Sequence, residues 1–147
     1  MSADCIICGK HKRDNPSVGG SIYEDDYVYL SHYPLDETGQ AHLGHLILEP
    51  KRHITGMEEL NEQEQLSLIK TLTNAHHALK KVVNVDRIYT FSIGEQARHL
   101  HFHLIPRYDS TPKEFYGTRL MEYTGDRTSD EAKVKDLSVR IKSMIDR

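Results

Sequence analysis

The chain lacks three features that would fix its class at once. No stretch of its 147 residues approaches the ~20 consecutive apolar residues a helix needs to span a bilayer, and Met1-Ser2-Ala3-Asp4-Cys5 has no basic segment leading into an apolar run. This predicts a soluble, cytoplasmic protein with no membrane partner. A basic excess is also missing: the formal net charge is −3, which excludes the electrostatic footprint of a protein that tracks long nucleic acid but leaves a local anion pocket possible. Cysteine is scarce as well. Cys5 and Cys8 are the two present, so a disulfide framework is not indicated. Their close spacing reads as half a metal site, a redox pair or two buried thiols.

What the chain does have is histidine in register. In Arg98-His99-Leu100-His101-Phe102-His103-Leu104-Ile105-Pro106-Arg107, imidazoles alternate with apolar side chains, so a β-strand places the histidines on one face and Leu100, Phe102 and Leu104 on the other. A helix would scatter them. One histidine on a strand face is an ordinary structural residue, whereas Ser, Thr or Lys would solvate a face as well as three histidines do. The triplet therefore points to the titration and ligand roles peculiar to imidazole.

The rest of the chain supplies a scaffold for that strand. Residues 11–20 read as a loop around Asn15-Pro16 and Gly19-Gly20. Ser21-Ile22-Tyr23 and Tyr27-Val28-Tyr29-Leu30 read as a hairpin, residues 34–41 as a loop, and Ala41 to Pro50 as one central strand carrying Leu43, His45 and Ile47 on one side. A histidine in such apolar surroundings needs a hydrogen-bond partner or a metal. Asn61 to Val83 is the longest helical signal, opened by Asn61 and Glu64 in capping-box spacing. Its His76 and His77 point in different directions and read as surface or packing residues. Arg87 to Ile93 reads as a strand, residues 109–128 as irregular, and a last amphipathic helix begins with Thr128 and Glu131 in capping-box spacing. Strands then a helix, twice over, with an antiparallel hairpin, argue an α+β fold rather than a doubly wound sheet.

The chain resembles the histidine triad family of nucleotide hydrolases and transferases. The resemblance covers about residues 4–107 and is strongest in His99-Leu100-His101-Phe102-His103-Leu104-Ile105. It is supported by Cys5-Ile6-Ile7-Cys8, by Tyr23-Glu24-Asp25-Asp26, and by Gly44-His45-Leu46-Ile47-Leu48-Glu49-Pro50-Lys51-Arg52-His53. It implies one domain over residues 1–147, with an antiparallel five-stranded sheet, a long helix packed on it, a C-terminal extension ending in a helix, and assembly as a homodimer.

The resemblance also implies a site. His101 would attack the α-phosphorus of a nucleotidyl compound to form a covalent nucleotidyl-histidine that water hydrolyses, with His103 assisting. Cys5, Cys8, His45 and His99 would hold a structural zinc ion. Ile6, Ile7 and Leu30 fall where the family places its base pocket. The chain departs from the family pattern at Gln96, which stands where a Ser or Thr usually precedes the triad. It departs again at His32, in place of the Asp or Asn that usually holds ribose, and at residues 34–41, which read as an insertion. Two other readings remain open at this level: a catalytic zinc hydrolase with the triplet as metal ligands, and a nucleotide-binding module without turnover.

Overall fold

Asp25 closes the first hairpin by accepting the backbone N–H groups of Tyr27 and Val28 at 2.7 and 2.9 Å, which lets β1 (Ser21–Glu24) return as β2 (Val28–His32). The computed structural model describes residues 4–13 and 16–145. Beyond the hairpin, β2 pairs with β4 (Leu46–Pro50), β4 with β6 (Phe102–Arg107), and β6 with the edge strand β5 (Arg87–Phe91). Every neighbouring pair is antiparallel, and the sheet order is β1-β2-β4-β6-β5. The expected α+β fold with a five-stranded antiparallel sheet is the fold observed.

The stretch 41–50 does not run as one strand. Ala41–His42 forms β3, which pairs with β7 (Arg127–Ser129) in a separate two-stranded sheet, and the chain turns before β4 begins. Gly44 makes that turn with φ +85°, and a Cβ there would meet Pro106 Cγ at 3.0 Å and Leu79 Cδ2 at 3.2 Å. A left-handed conformation and a close approach together require glycine. The loop expected over residues 11–20 starts later than its first residue, because α1 covers Ile6–His11; its Asn15 lies outside the described residues, as do Met1, Ser2 and Ala3.

Helix α2 (Glu62–Val83) opens on the predicted capping box, with Glu64 N–H on Asn61 Oδ1 and Asn61 N–H on Glu64 Oε2, both at 2.9 Å. It ends where Asn84 turns left-handed at φ 51°. Leu68, Ala75, Ala78 and Leu79 of α2, with Leu137, Ile141 and Ile145 of α3 (Glu131–Ile145), bury Val28, Leu30, Leu46, Leu48, Phe102 and Leu104. The cap of α3 differs from the expected one. Pairing with β3 holds residues 127–129 extended, so Asp130 becomes the cap, its Oδ1 accepting from Lys133 N–H at 3.0 Å. The segment read as irregular contains two short 3₁₀ turns, Lys113–Phe115 and Gly117–Glu122. Among the described residues, no helix is long and apolar enough to cross a membrane.

Strand alternation leaves the other sheet face to Tyr29, Ser31, Ile47, Glu49, His103 and Ile105. In register, Ser31 faces Ile47 and Ile47 faces His103 across the three central strands. All the chemistry discussed below lies on this face.

Candidate active site and metal corner

His101 immediately precedes β6, and its ring lies 5.0 Å from that of His103, centroid to centroid. Its Nδ1 is 2.8 Å from the carbonyl oxygen of His99. A carbonyl can only accept, so Nδ1 carries the proton and Nε2 of the neutral ring keeps a lone pair. The hydroxyl of Ser92 donates to the His101 carbonyl at 2.6 Å and fixes the backbone beneath the ring. His101 retains 8% of its surface, on the side of the sheet away from the helices.

His103 has a different neighbour. Its Nδ1 shares a 2.9 Å hydrogen bond with Nε2 of His45, and Tyr33 stacks on the His45 ring at 4.2 Å and 4°. Burial, then the nearby His101, pushes the His103 pKa down to about 4. Burial, then His103, pushes His45 well below its ordinary value. Both rings are therefore neutral near pH 7, and one donates to the other.

At the opposite end of the triplet the histidine meets sulfur. Cys5 caps α1, accepting Cys8 N–H at 3.4 Å, so the two thiols stand one helical turn apart and face the same way. Cys5 Sγ lies 3.5 Å from His99 Nδ1, and Cys8 Sγ lies 3.4 Å from His53 Nδ1 and 3.6 Å from His99 Nδ1. Donor atoms of Cys5, Cys8, His53 and His99 all fall within 4.8 Å of one another. A tetrahedron with Zn–S of ~2.3 Å and Zn–N of ~2.0–2.1 Å has S-to-N edges of about 3.6 Å. The donor set and its spacing fit zinc. The second nitrogen of His99 also fits: Nε2–H donates to the Pro50 carbonyl at 2.7 Å, which aims the Nδ1 lone pair at the thiols.

This corrects the expected ligand set, in which His45 stood where His53 stands. Because β4 and β6 are antiparallel, with Leu48 opposite Phe102, the chain leaving β4 lies beside the chain entering β6. His53 therefore reaches His99, while His45, before β4, reaches His103. The resemblance assigns that ligand to the histidine of the Gly-His strand; the antiparallel register of β4 against β6 points to His53 instead.

The nucleotide-site expectations divide in the same way. Leu30 is fully buried in the core beneath the helices, not on the histidine face. His32 is also turned inward and fully buried, with Nδ1–H donating to the Tyr33 carbonyl at 2.8 Å and Nε2 accepting Gly44 N–H at 3.0 Å. Both nitrogens are spent, and burial holds its pKa down to about 4, so His32 is a structural residue and Tyr33 takes the outward position. Ile6 is 72% exposed on α1 and Ile7 is buried; Gln96 is exposed in the loop between β5 and β6.

One buried group had no sequence signal. Glu49 is fully buried on the histidine face, where its Oε1 accepts Lys10 Nζ at 2.6 Å and His11 Nε2 at 2.9 Å. Through Glu49 and the thiols, α1 is pinned over Tyr29.

A five-stranded antiparallel sheet presenting three alternating histidines beside a Cys–His corner defines a histidine-triad type of protein. The family model described as HIT domain matches residues 17–110, and the chain belongs to the HIT domain family. It is 28% identical over 114 residues to an uncharacterized HIT-like protein of Borreliella burgdorferi, covering 71% of this chain and 76% of that one. It is 25% identical over 117 residues to an adenosine 5'-monophosphoramidase of Saccharomyces cerevisiae, covering 74% and 66%. The fold is shared with a zinc-bound histidine triad family protein from Mycobacterium smegmatis at a TM-score of 0.69 and 17% identity, over 99% of this chain and 96% of that one.

Proposed function

We propose that this protein hydrolyses a nucleoside phosphoramidate, a dinucleoside polyphosphate or a related nucleotidyl compound through a covalent intermediate on His101. The observation that carries the reading is the fixed tautomer of His101: Nδ1–H is held by the His99 carbonyl, so the nucleophilic lone pair belongs to Nε2. That lone pair attacks the α-phosphorus in line, an N–P bond forms, and the P–N or P–O bond to the leaving group breaks. In the tautomer where His45 Nε2–H donates to Nδ1 of His103, the proton of His103 sits on Nε2, where it is available to phosphate oxygens or to the departing group. Water then attacks phosphorus, the N–P bond returns its electron pair to Nε2, and a nucleoside monophosphate leaves. Gln96 and its exposed loop are assigned to the phosphate side of the site. The yeast phosphoramidase relative supports this class of substrate.

Cys5, Cys8, His53 and His99 would hold a structural zinc ion, which when bound ties α1 to the start of the triplet. A catalytic metal held by the triplet itself is disfavoured, because of the three histidines only His99 joins the cluster. We further assign the chain to a homodimer, a reading supported by the unpaired edge of β5 and by the exposed Ile69 of α2 and Ile93 after β5.

Rapid quenching of the protein with an adenosine phosphoramidate, followed by intact-mass analysis, should show a nucleotidyl adduct located at His101. His101→Gly should lose adduct and turnover but still bind AMP and metal; unchanged turnover in that variant rejects the nucleophile.

A further inference from the structure

Beside the metal corner lies a buried polar cluster that the proposed chemistry does not use. Glu49 of β4 is fully buried, and its two partners come from the last turn of α1: Lys10 Nζ at 2.6 Å and His11 Nε2–H at 2.9 Å, both on Oε1. Both also lie against Tyr29, the ammonium 5.4 Å and the imidazole 4.8 Å from its ring centroid. We propose that Glu49 is a positioning residue for the metal: through Lys10 and His11 it holds α1 and the His99 ring where the four donors can close on zinc. This rests on the zinc reading of the corner above and deepens it by naming what sets the corner's affinity.

A helix of six residues makes fewer than two turns and does not persist in water on its own. The buried residues of α1 are Ile7, Cys8 and Lys10, so one aliphatic side chain anchors it and polar contacts must do the rest. They fall at its two ends. Cys5 and Cys8 face His99 and His53 at the first turn, and Lys10 and His11 meet Glu49 at the last. The first tie depends on a metal; the second does not.

Glu49 also acts on a ligand ring. The His11 imidazole that it holds meets His99 edge-on, at 85° between planes and 5.7 Å between centroids. Pro50, the next residue of β4, accepts His99 Nε2–H at 2.7 Å. Two consecutive residues of one strand thus hold that ring from two directions, which keeps Nδ1 on the thiols.

As a mere fastening the cluster is inefficient. An ammonium and a carboxylate are taken out of water, and Glu49 Oε2 and His11 Nδ1 have no hydrogen-bond partner among the described residues. Apolar side chains of similar size often hold such a contact as well or better, but they carry no direction. Oriented bonds from a buried carboxylate set α1 at one depth and one rotation, which donors gathered within 4.8 Å of one another require.

Zinc affinity, read by competition with a chelator, separates positioning from fastening. In Lys10→Leu/Glu49→Leu an apolar pair replaces the ion pair. The metal-free variant should melt cooperatively within a few degrees of wild type, yet bind zinc about tenfold more weakly or worse, the scale on which residues behind metal ligands act. His11→Phe keeps a flat ring against Tyr29 and His99 but loses the bond to Glu49, and it should weaken zinc binding by about tenfold as well. Affinity within about twofold of wild type in both variants overturns the role given to Glu49. Wild-type protein stripped of metal gives a measurement that needs no variant. The amides of Gly9 and Lys12 bond to the Cys5 and Cys8 carbonyls at 3.0 and 3.1 Å, and their hydrogen-exchange protection should stay within about tenfold of that in the zinc-loaded protein. Exchange there at the rate of an unfolded peptide means that Glu49 does not hold α1, and also overturns it. If wild type binds zinc and both variants match it, the positioning role alone fails. If wild type binds no zinc, the corner reading and this one fall together.

Discussion

The two ends of the histidine face use the same side chain in opposite ways. At the His99 end the imidazole is locked between the Pro50 carbonyl and two thiols, and α1 closes over it. Beyond His103 the imidazole of His45 touches another imidazole and a tyrosine ring, and a cavity opens next to it. What separates the proposed ligand, the proposed nucleophile and the structural histidine here is the partner of the second ring nitrogen. A carbonyl on Nε2 frees Nδ1 of His99 for metal, a carbonyl on Nδ1 frees Nε2 of His101 for phosphorus, and His32, with both nitrogens bonded, is free for neither.

The largest effect expected of any single change lies between those ends. His101→Gly should lower kcat by roughly 1,000-fold or more, because covalent catalysis has no substitute nucleophile in the site. Steady-state rates on an adenosine phosphoramidate measure it. Next comes the metal corner. Protein purified without added zinc should carry about one equivalent per chain, and Cys5→Ser or a strong chelator should remove it. Thermal unfolding should then shift down by several degrees or more, since metal binding free energy is folding free energy. A metal-free protein with unchanged melting would show that the two ends are equally self-sufficient. A smaller loss is expected at the cavity end. Gly44→Ala forces a β-carbon into a left-handed turn against Pro106 and Leu79, which should cost about 1–3 kcal/mol in chemical denaturation.

The contrast between the ends also separates what the sequence made legible from what it did not. The Cys5–Cys8 spacing, the alternation of His101 and His103 with Phe102 and Leu104, and the Asn61–Glu64 cap are local patterns whose meaning does not depend on distant segments, and each appears as expected. The fourth member of the Cys–His cluster depends on the register of β4 against β6, which the resemblance that points to His45 does not carry. In β2, all five residues are buried, with Val28 and Leu30 in the core beneath the helices and Tyr29 against His11 of α1. Without a polar face the alternation gives no sign of which side is which, and Leu30 and His32, matched to the nucleotide site by resemblance alone, are both fully buried, Leu30 in the core beneath the helices. The cavity joins residues 33–42 to residues 120–127, segments with no common motif, and only their packing brings them together.

The smallest effect follows from His32, and its sign can be worked out. In the unfolded chain this imidazole titrates near 6.5, whereas burial holds it at about 4 in the fold. Between those values the unfolded chain binds a proton that the folded chain does not, so stability rises with pH across this window and is lost as pH falls from 6.5 toward 4. Glu24 acts lower down: Lys51 and Arg13 overcome its burial and hold it at about 2, so its contribution is present above 4.5 and fades as pH falls below that. Melting temperature should therefore be flat near neutrality with respect to these groups and begin to decline below pH 6.5. His32→Asn removes one of several depressed histidine titrations, His45 and His103 among the others, and also the acceptor for Gly44 N–H, so it should lower stability at pH 7.5 by about 1 kcal/mol while making the curve between pH 6.5 and 4.5 less steep. An equally steep curve in that variant would mean that His32 is charged in the folded state, which the bond from Gly44 N–H forbids, and the division between spent and available histidines would have to be redrawn.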